Sequence, residues 1–237
     1  MKKLIFFLAS CFFLSGLLAQ SVIKDPNAQV RAVAGFHAVK VATGIHCYLV
    51  QGNEDKVVVS AADETYRNRI RTEVEGGVLH IYYDNEMWKW RDIGGKELKA
   101  YVSCKVLDGL TASSGARVEV DGTLKSATLA MHFSSGSQFN GRVEAGNLTL
   151  DGSSGARATL SGTAGDLRAE ASSGSRLSGF DLEAEKCDVH VSSGAHIDIS
   201  VHKEMAASAH SGGHVNYQGA GMIREVHTGS GGSVSRR

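Results

Sequence analysis

The stretch Leu148-Thr149-Leu150-Asp151-Gly152-Ser153-Ser154-Gly155-Ala156-Arg157-Ala158 decides how this chain folds. It opens on apolar and polar residues in alternation, the two-residue period of a strand with one buried face. A Ser-Ser-Gly-Ala turn follows, and the alternation resumes at Arg157 and Ala158. The same unit recurs at Ser113-Ser114-Gly115-Ala116, Ser134-Ser135-Gly136-Ser137, Ser172-Ser173-Gly174-Ser175 and Ser192-Ser193-Gly194-Ala195, then in variant form at His210-Ser211-Gly212-Gly213 and Gly229-Ser230-Gly231-Gly232. The key glycines are separated by 21, 19, 19, 20, 18 and 19 residues. Three residues beyond them stand Val118, Phe139, Ala158, Leu177, Ile197, Val215 and Val234, and seven residues before four of them stand Leu129, Leu148, Leu167 and Cys187.

Helical solenoids need longer repeats and strong helix formers, and the LxxLxL signature of leucine-rich repeats is missing. A 19-residue unit at roughly 3.3 Å per residue closes a coil about 60 Å around, enough for two or three short strands and their turns. The fold class is therefore all-β, a parallel β-helix or β-solenoid whose repeat coils occupy 111–237. Gly115, Gly136, Gly155, Gly174, Gly194, Gly212 and Gly231 serve as structural turns, because glycine accepts positive φ at each corner. The preceding serines are expected to stack in a column whose hydroxyls bridge successive coils or cap backbone groups. Each coil adds about 4.8 Å, the strand spacing.

Residues 36–110 lack the Ser-Ser-Gly mark yet remain strand-rich, and read as an N-terminal β-rich part of the solenoid or its cap, preceded by an extension over 21–35. Phe36 to Val41, Ile45 to Val50, Val57 to Val59 and Val78 to Tyr82 are the expected strands. Ala62 to Ile70 reads as a short helical excursion, and Glu86 to Lys96 as a loop carrying Trp88 and Trp90.

The 237 residues hold 25 Lys+Arg against 25 Asp+Glu, so no basic surplus points to nucleic acid. Residues 1–20 read as a secretory signal: Lys2 and Lys3, an apolar run from Leu4 to Leu18, and a small residue at Ala19. A second reading is a lipoprotein signal with the lipid on Cys11; the apolar residues after Cys11 disfavour it. Signal removal leaves Cys47, Cys104 and Cys187, an odd number with neither zinc nor disulfide-scaffold spacing. A Cys47–Cys104 bridge and three small buried hydrophobes are the two readings, the second favoured.

With these residues in view, the chain resembles the head GIN domain family of auto-transporter adhesins. The resemblance is carried by Phe36-x-x-Val39-x-Val41-x-x-Gly44-Ile45, Gln51-Gly52, Val57-x-Val59-x-Ala61, Gly77-x-Leu79-x-Ile81 and the Ser-Gly units through Val234. It implies a right-handed β-helix and an exported protein in the periplasm or on the outer membrane or cell surface of a Gram-negative bacterium. It transfers no catalytic residue. The last coil runs to Arg237 with no barrel segment after it, so self-translocation is not expected.

Candidate sites follow from the columns that stacking creates. The position two after each key glycine yields Arg117, Gln138, Arg157, Arg176, His196, His214 and Ser233, a polar ladder able to grip carboxylated or sulfated glycans. An ordinary wet strand face is the plainer reading. His196 and His214 fall on neighbouring coils as a candidate metal pair lacking a third ligand. Trp88 and Trp90 are candidates for stacking on a sugar or partner, or for packing as a cap. Asp121, Asp151, Asp166, Asp181, Asp188 and Asp198 occupy scattered offsets, and no column is expected to stack two carboxylates. The expectation is a non-catalytic binding protein with no cofactor, partnered by a glycan or an envelope protein, with self-association through solenoid ends or faces open. A carbohydrate-active enzyme and a structural envelope protein are the alternatives.

Overall fold

The computed structural model describes residues 25–85 and 95–237, so the signal segment, Cys11, Trp88 and Trp90 lie outside the described residues. Among the described residues, five long strands are laid one on the next: β9 (Arg117–Phe133), β10 (Gln138–Gly152), β11 (Arg157–Ala171), β12 (Arg176–Val191) and β13 (His196–Ala209). Each pairs in parallel with its successor, in unbroken register for β10–β11 and with register shifts in the other three pairs. The next coil splits into β14 (His214–Gln218) and β15 (Met222–Thr228), both parallel to β13, and β16 (Ser233–Arg236) pairs with β14. The chain is thus a parallel β-helix, as its period requires.

Column packing follows the two-residue alternation. Val118, Phe139, Ala158, Leu177, Ile197, Val215 and Val234 are register partners from coil to coil. All but Val234 are at most 3% exposed. The large Phe139 is seated between smaller column neighbours, its ring 5.2 Å from that of Phe133. Branched and small side chains fill a narrow coil without voids, which is why so few aromatics suffice.

The corner explains the Ser-Gly mark more fully than glycine alone. Both residues are left-handed: Ser114 at φ 50° and Gly115 at 72°, Ser154 at 50° and Gly155 at 70°, and likewise in every copy. The flanking bond closes a four-residue turn, for instance Ala156 N–H donating to Ser153 O at 3.0 Å, so this is a type I′ turn. Two positive φ values stand the Ser–Gly peptide along the solenoid axis. Its N–H then donates to the same carbonyl one coil on: Gly115 to Ser135, Gly136 to Ser154, Gly155 to Ser173, Gly174 to Ser193, Gly194 to Ser211 and Gly212 to Ser230, at 3.0–3.1 Å. A left-handed serine costs about 1–2 kcal/mol, and one amide hydrogen bond contributes about 1 kcal/mol, so the turn is near break-even and the stack decides it. The expected bridging by hydroxyls is replaced by this main-chain file. The serine side chains of the column are exposed, and among the described residues no hydrogen bond involves their hydroxyls.

The N-terminal block continues the same stack out of chain order. After β1 (Gln29–Arg31), strands β2 (Ala38–Val41) and β3 (His46–Gln51) form a coil with a corner at Thr43 and Gly44, φ 57° and 70°. Gly44 N–H donates to Ser114 O at 3.0 Å, so this is an eighth copy of the corner. Then β4 (Lys56–Ser60), the helix α1 (Glu64–Asn68) and β5 (Ile70–Glu75) leave the coil. Strands β6 (Val78–Tyr83) and β7 (Lys99–Cys104) return on the outer side of β2 and β3, and β8 (Gly109–Ala112) leads into β9. The antiparallel pairs β4–β7, β1–β4 and β5–β6 cover the end, which blunts an otherwise open edge. No helix of the described residues is long and apolar enough to cross a membrane.

Candidate binding face

Strand register turns the polar ladder into a continuous column: Lys99, His46, Arg117, Gln138, Arg157, Arg176, His196, His214 and Ser233. Two residues along each strand, a second column faces the same way: Tyr101, Tyr48, Glu119, Asn140, Thr159, Ser178, Asp198, Asn216 and Ser235. A shallow hollow of about 450 Å³ lies over Arg117, Gln138, Asn140, Arg157 and Thr159.

The charges of this face are unevenly matched. Its two carboxylates stand against histidines: His46 Nε2 lies 2.9 Å from Glu119 Oε1 without a hydrogen bond, and His196 Nε2 is hydrogen-bonded to Asp198 Oδ1 at 2.8 Å. Arg117, Arg157 and Arg176 are exposed, and among the described residues no hydrogen bond or ion pair engages their guanidinium groups. Elsewhere Arg71 is paired with Asp84 at 2.9 Å, Arg168 with Glu170 at 2.7 Å and Arg224 with Glu204 at 3.2 Å, whereas Arg142 stands exposed with no such pair among the described residues. Like charges directly opposite on paired strands are unfavourable, and Arg157 lies directly opposite Arg176. The column therefore stores a repulsion that a bound anion would relieve.

The remaining candidates sort by geometry. The rings of His196 and His214 are 6.3 Å apart and tilted by 46°. His196 is engaged by Asp198, and His214 Nδ1 lies 2.7 Å from Ser233 Oγ. Among the described residues no group of three or more His, Cys, Asp or Glu gathers as a metal cluster. Cys47, Cys104 and Cys187 are free and buried. Register sets Cys47 beside Ala100 and Cys104 beside Gln51, about 13 Å apart along the strands, beyond disulfide reach. Burial pushes the Cys47 and Cys187 thiols up to about 12 and the Cys104 thiol up to about 11.

One expectation about carboxylates is corrected: Asp151 and Glu170 do stack on neighbouring coils. The aspartates alone share no offset, and a glutamate supplies the second member. Both are half exposed and each has a basic neighbour, His132 at 3.5 Å from Asp151 and Arg168 at 2.7 Å from Glu170. An acid for glycoside chemistry needs a raised pKa, ordinarily from a dry pocket, which an open face does not supply.

The sequence reading missed the N-terminal extension of the ladder. His46 follows Gly44 by two residues, as Arg117 follows Gly115, so aligning Gly44 with the later glycines would have found it. There Tyr48 stacks on Tyr101 with ring centroids 5.1 Å apart and on His46 at 4.3 Å.

Comparison with known proteins places this architecture. A putative adhesin of Bacteroides fragilis is 15% identical with a TM-score of 0.80, covering 89% of this chain and 96% of its own. A putative adhesin of Parabacteroides merdae is 15% identical with a TM-score of 0.67, covering 89% and 95%. A putative lipid binding protein of Parabacteroides distasonis is 17% identical with a TM-score of 0.66, covering 91% and 98%. At such identities these likenesses speak for the fold. No curated protein matches. The family model described as putative auto-transporter adhesin, head GIN domain, matches residues 35–221, and the chain belongs to that family.

Proposed function

We propose that the chain is an exported, non-catalytic, adhesin-like protein that binds an anionic glycan through the face bearing Arg117, Arg157 and Arg176. One observation carries this reading: three exposed arginines stand in one column, two of them directly opposite each other, without the carboxylate partners that Arg71, Arg168 and Arg224 have. A charge-assisted bond to a carboxylate or sulfate contributes about 1.5–3 kcal/mol, so two or three arginines acting together reach useful affinity on a flat surface. The family and the adhesin names of its structural neighbours support a binding role. The leader-like segment over 1–20 and the family together support an envelope setting, which protease shaving of intact cells would resolve into periplasm or surface.

The test is a glycan array probed with the protein and with a variant carrying Arg157→Ala and Arg176→Ala. Binding confined to acidic glycans, lost in the variant at unchanged melting temperature, supports the reading. Unchanged binding by the variant overturns it. Binding to anionic lipid vesicles without any glycan signal would move the reading toward the lipid-binding name of one structural neighbour.

A further inference from the structure

The arginine face has a length and a direction as well as a sign. Arg117, Gln138, Arg157 and Arg176 are register partners on four successive coils, so they span about 14 Å along the solenoid axis at the strand spacing. A ligand crossing the coils meets one member of this column, whereas a ligand lying along the axis meets all of them. Beside the arginines run Asn140, Thr159 and Ser178, likewise in register. These are uncharged groups that donate and accept hydrogen bonds. The two columns differ at their ends: Glu119 stands beside Arg117 on the same coil, and Asp198, bonded to His196, stands one coil beyond Arg176.

Taking the anionic-glycan reading of this face as its basis, we propose that the ligand is a linear oligosaccharide with one carboxylate per sugar, laid along the axis with one sugar to a coil over Arg117, Gln138, Arg157 and Arg176. The rise of a pyranose unit in an extended chain is comparable to the spacing of the coils. Each sugar presents its carboxylate to the arginine column and its hydroxyls to the column of Asn140, Thr159 and Ser178. Gln138 spaces two arginines and offers its amide to the second carboxylate without adding like charge. Glu119 accepts from the hydroxyls of the first sugar, and Asp198 repels a fifth anionic unit beyond Arg176.

The experiment is calorimetric titration of the full chain with oligomannuronates of one to eight units, with neutral cello-oligosaccharides and sulfated oligosaccharides of equal length as comparisons. Affinity should climb with each unit up to four and then level off. Arg117→Ala and Arg176→Ala, at opposite ends, should each bring the plateau one unit earlier. Gln138→Arg should tighten binding of the tetramer roughly tenfold, the effect of one more charged hydrogen bond, a gain that a damaged fold cannot mimic. Equal affinity for the monomer and tetramer overturns the axial track while sparing the glycan reading, as does a plateau unmoved by the end variants. Preference for sulfated chains over uronates overturns the carboxylate assignment. Silence toward every acidic glycan overturns the underlying reading itself.

Discussion

The left-handed corner separates two kinds of glycine that a sequence presents alike. Gly155 has φ +70° and open space where a Cβ would stand, so Gly155→Ala meets only the conformational penalty, about 1–2 kcal/mol. Gly162 has φ +114°, and a Cβ there would lie 1.9 Å from Val143 O. Gly162→Ala must push apart two hydrogen-bonded strands and should cost about 3 kcal/mol or more. Urea denaturation of the two variants checks the order; equal losses would contradict it. The cysteines offer a second residue-scale prediction. With their thiols pushed up to about 11–12 from an ordinary 9.0, the folded state favours the protonated form. Their contribution to stability is whole below pH 9 and is lost as pH rises through 11 to 12. The melting temperature should therefore fall above pH 9, and less so in a Cys47→Ala, Cys104→Ala, Cys187→Ala variant. Ellman's reagent at pH 8 should leave the native thiols untouched and titrate all three in guanidinium.

At the scale of the coil, the repeat is a cassette. Removing residues 156–174, the interval from one key glycine to the next, joins Gly155 to Ser175 and preserves every in/out position. That variant should fold, with a smaller m-value because less surface is buried. Removing the odd-numbered stretch 156–164 instead throws the alternation of β11 out of phase and should abolish cooperative unfolding. Circular dichroism and denaturation distinguish the two. The same cassette logic marks what could be read in advance. The coils from Arg117 onward were legible because Ser-Ser-Gly repeats at a near-constant interval and each glycine fixes its downstream residues. The short helix near Glu64 was legible from local pattern. The insertion of the β2–β3 coil between the β6–β7 coil and β8–β9 was not, since a stack order that departs from chain order leaves no periodic trace. The arginine ladder was legible as a column, but its lack of neutralising carboxylates depends on His46 and His196 standing against Glu119 and Asp198, a three-dimensional fact. The loop with Trp88 and Trp90 lies outside the described residues.

Over the whole molecule, the chain is formally neutral, so binding through one face must come from how charge is distributed. Several cations on the remaining surface sit in ion pairs, such as Lys125 with Glu144 at 2.8 Å and Lys203 with Glu185 at 2.7 Å. The field of the arginine column is therefore local and screened within about 10 Å at 0.1 M salt. Affinity for an acidic glycan should drop steadily as sodium chloride rises, whereas the melting temperature should barely move, because exposed ion pairs contribute little to stability. Binding that persists undiminished at 1 M salt would point to recognition by apolar contact instead.

The corner file carries a consequence of its own. Its peptide groups from Ser114–Gly115 to Ser211–Gly212 each accept from the coil before and donate to the coil after, with Thr43–Gly44 donating at one end and Ser230–Gly231 accepting at the other, as amides do in a crystal of small molecules. Their dipoles add head to tail, giving one edge of the molecule a polarity akin to that of an α-helix, with the carbonyl pole toward the cap and the amide pole toward the last coil. Bonds in such a chain polarise one another, so severing one link in mid-file should loosen corners several coils away, and hydrogen exchange at distant Ser–Gly amides would register it.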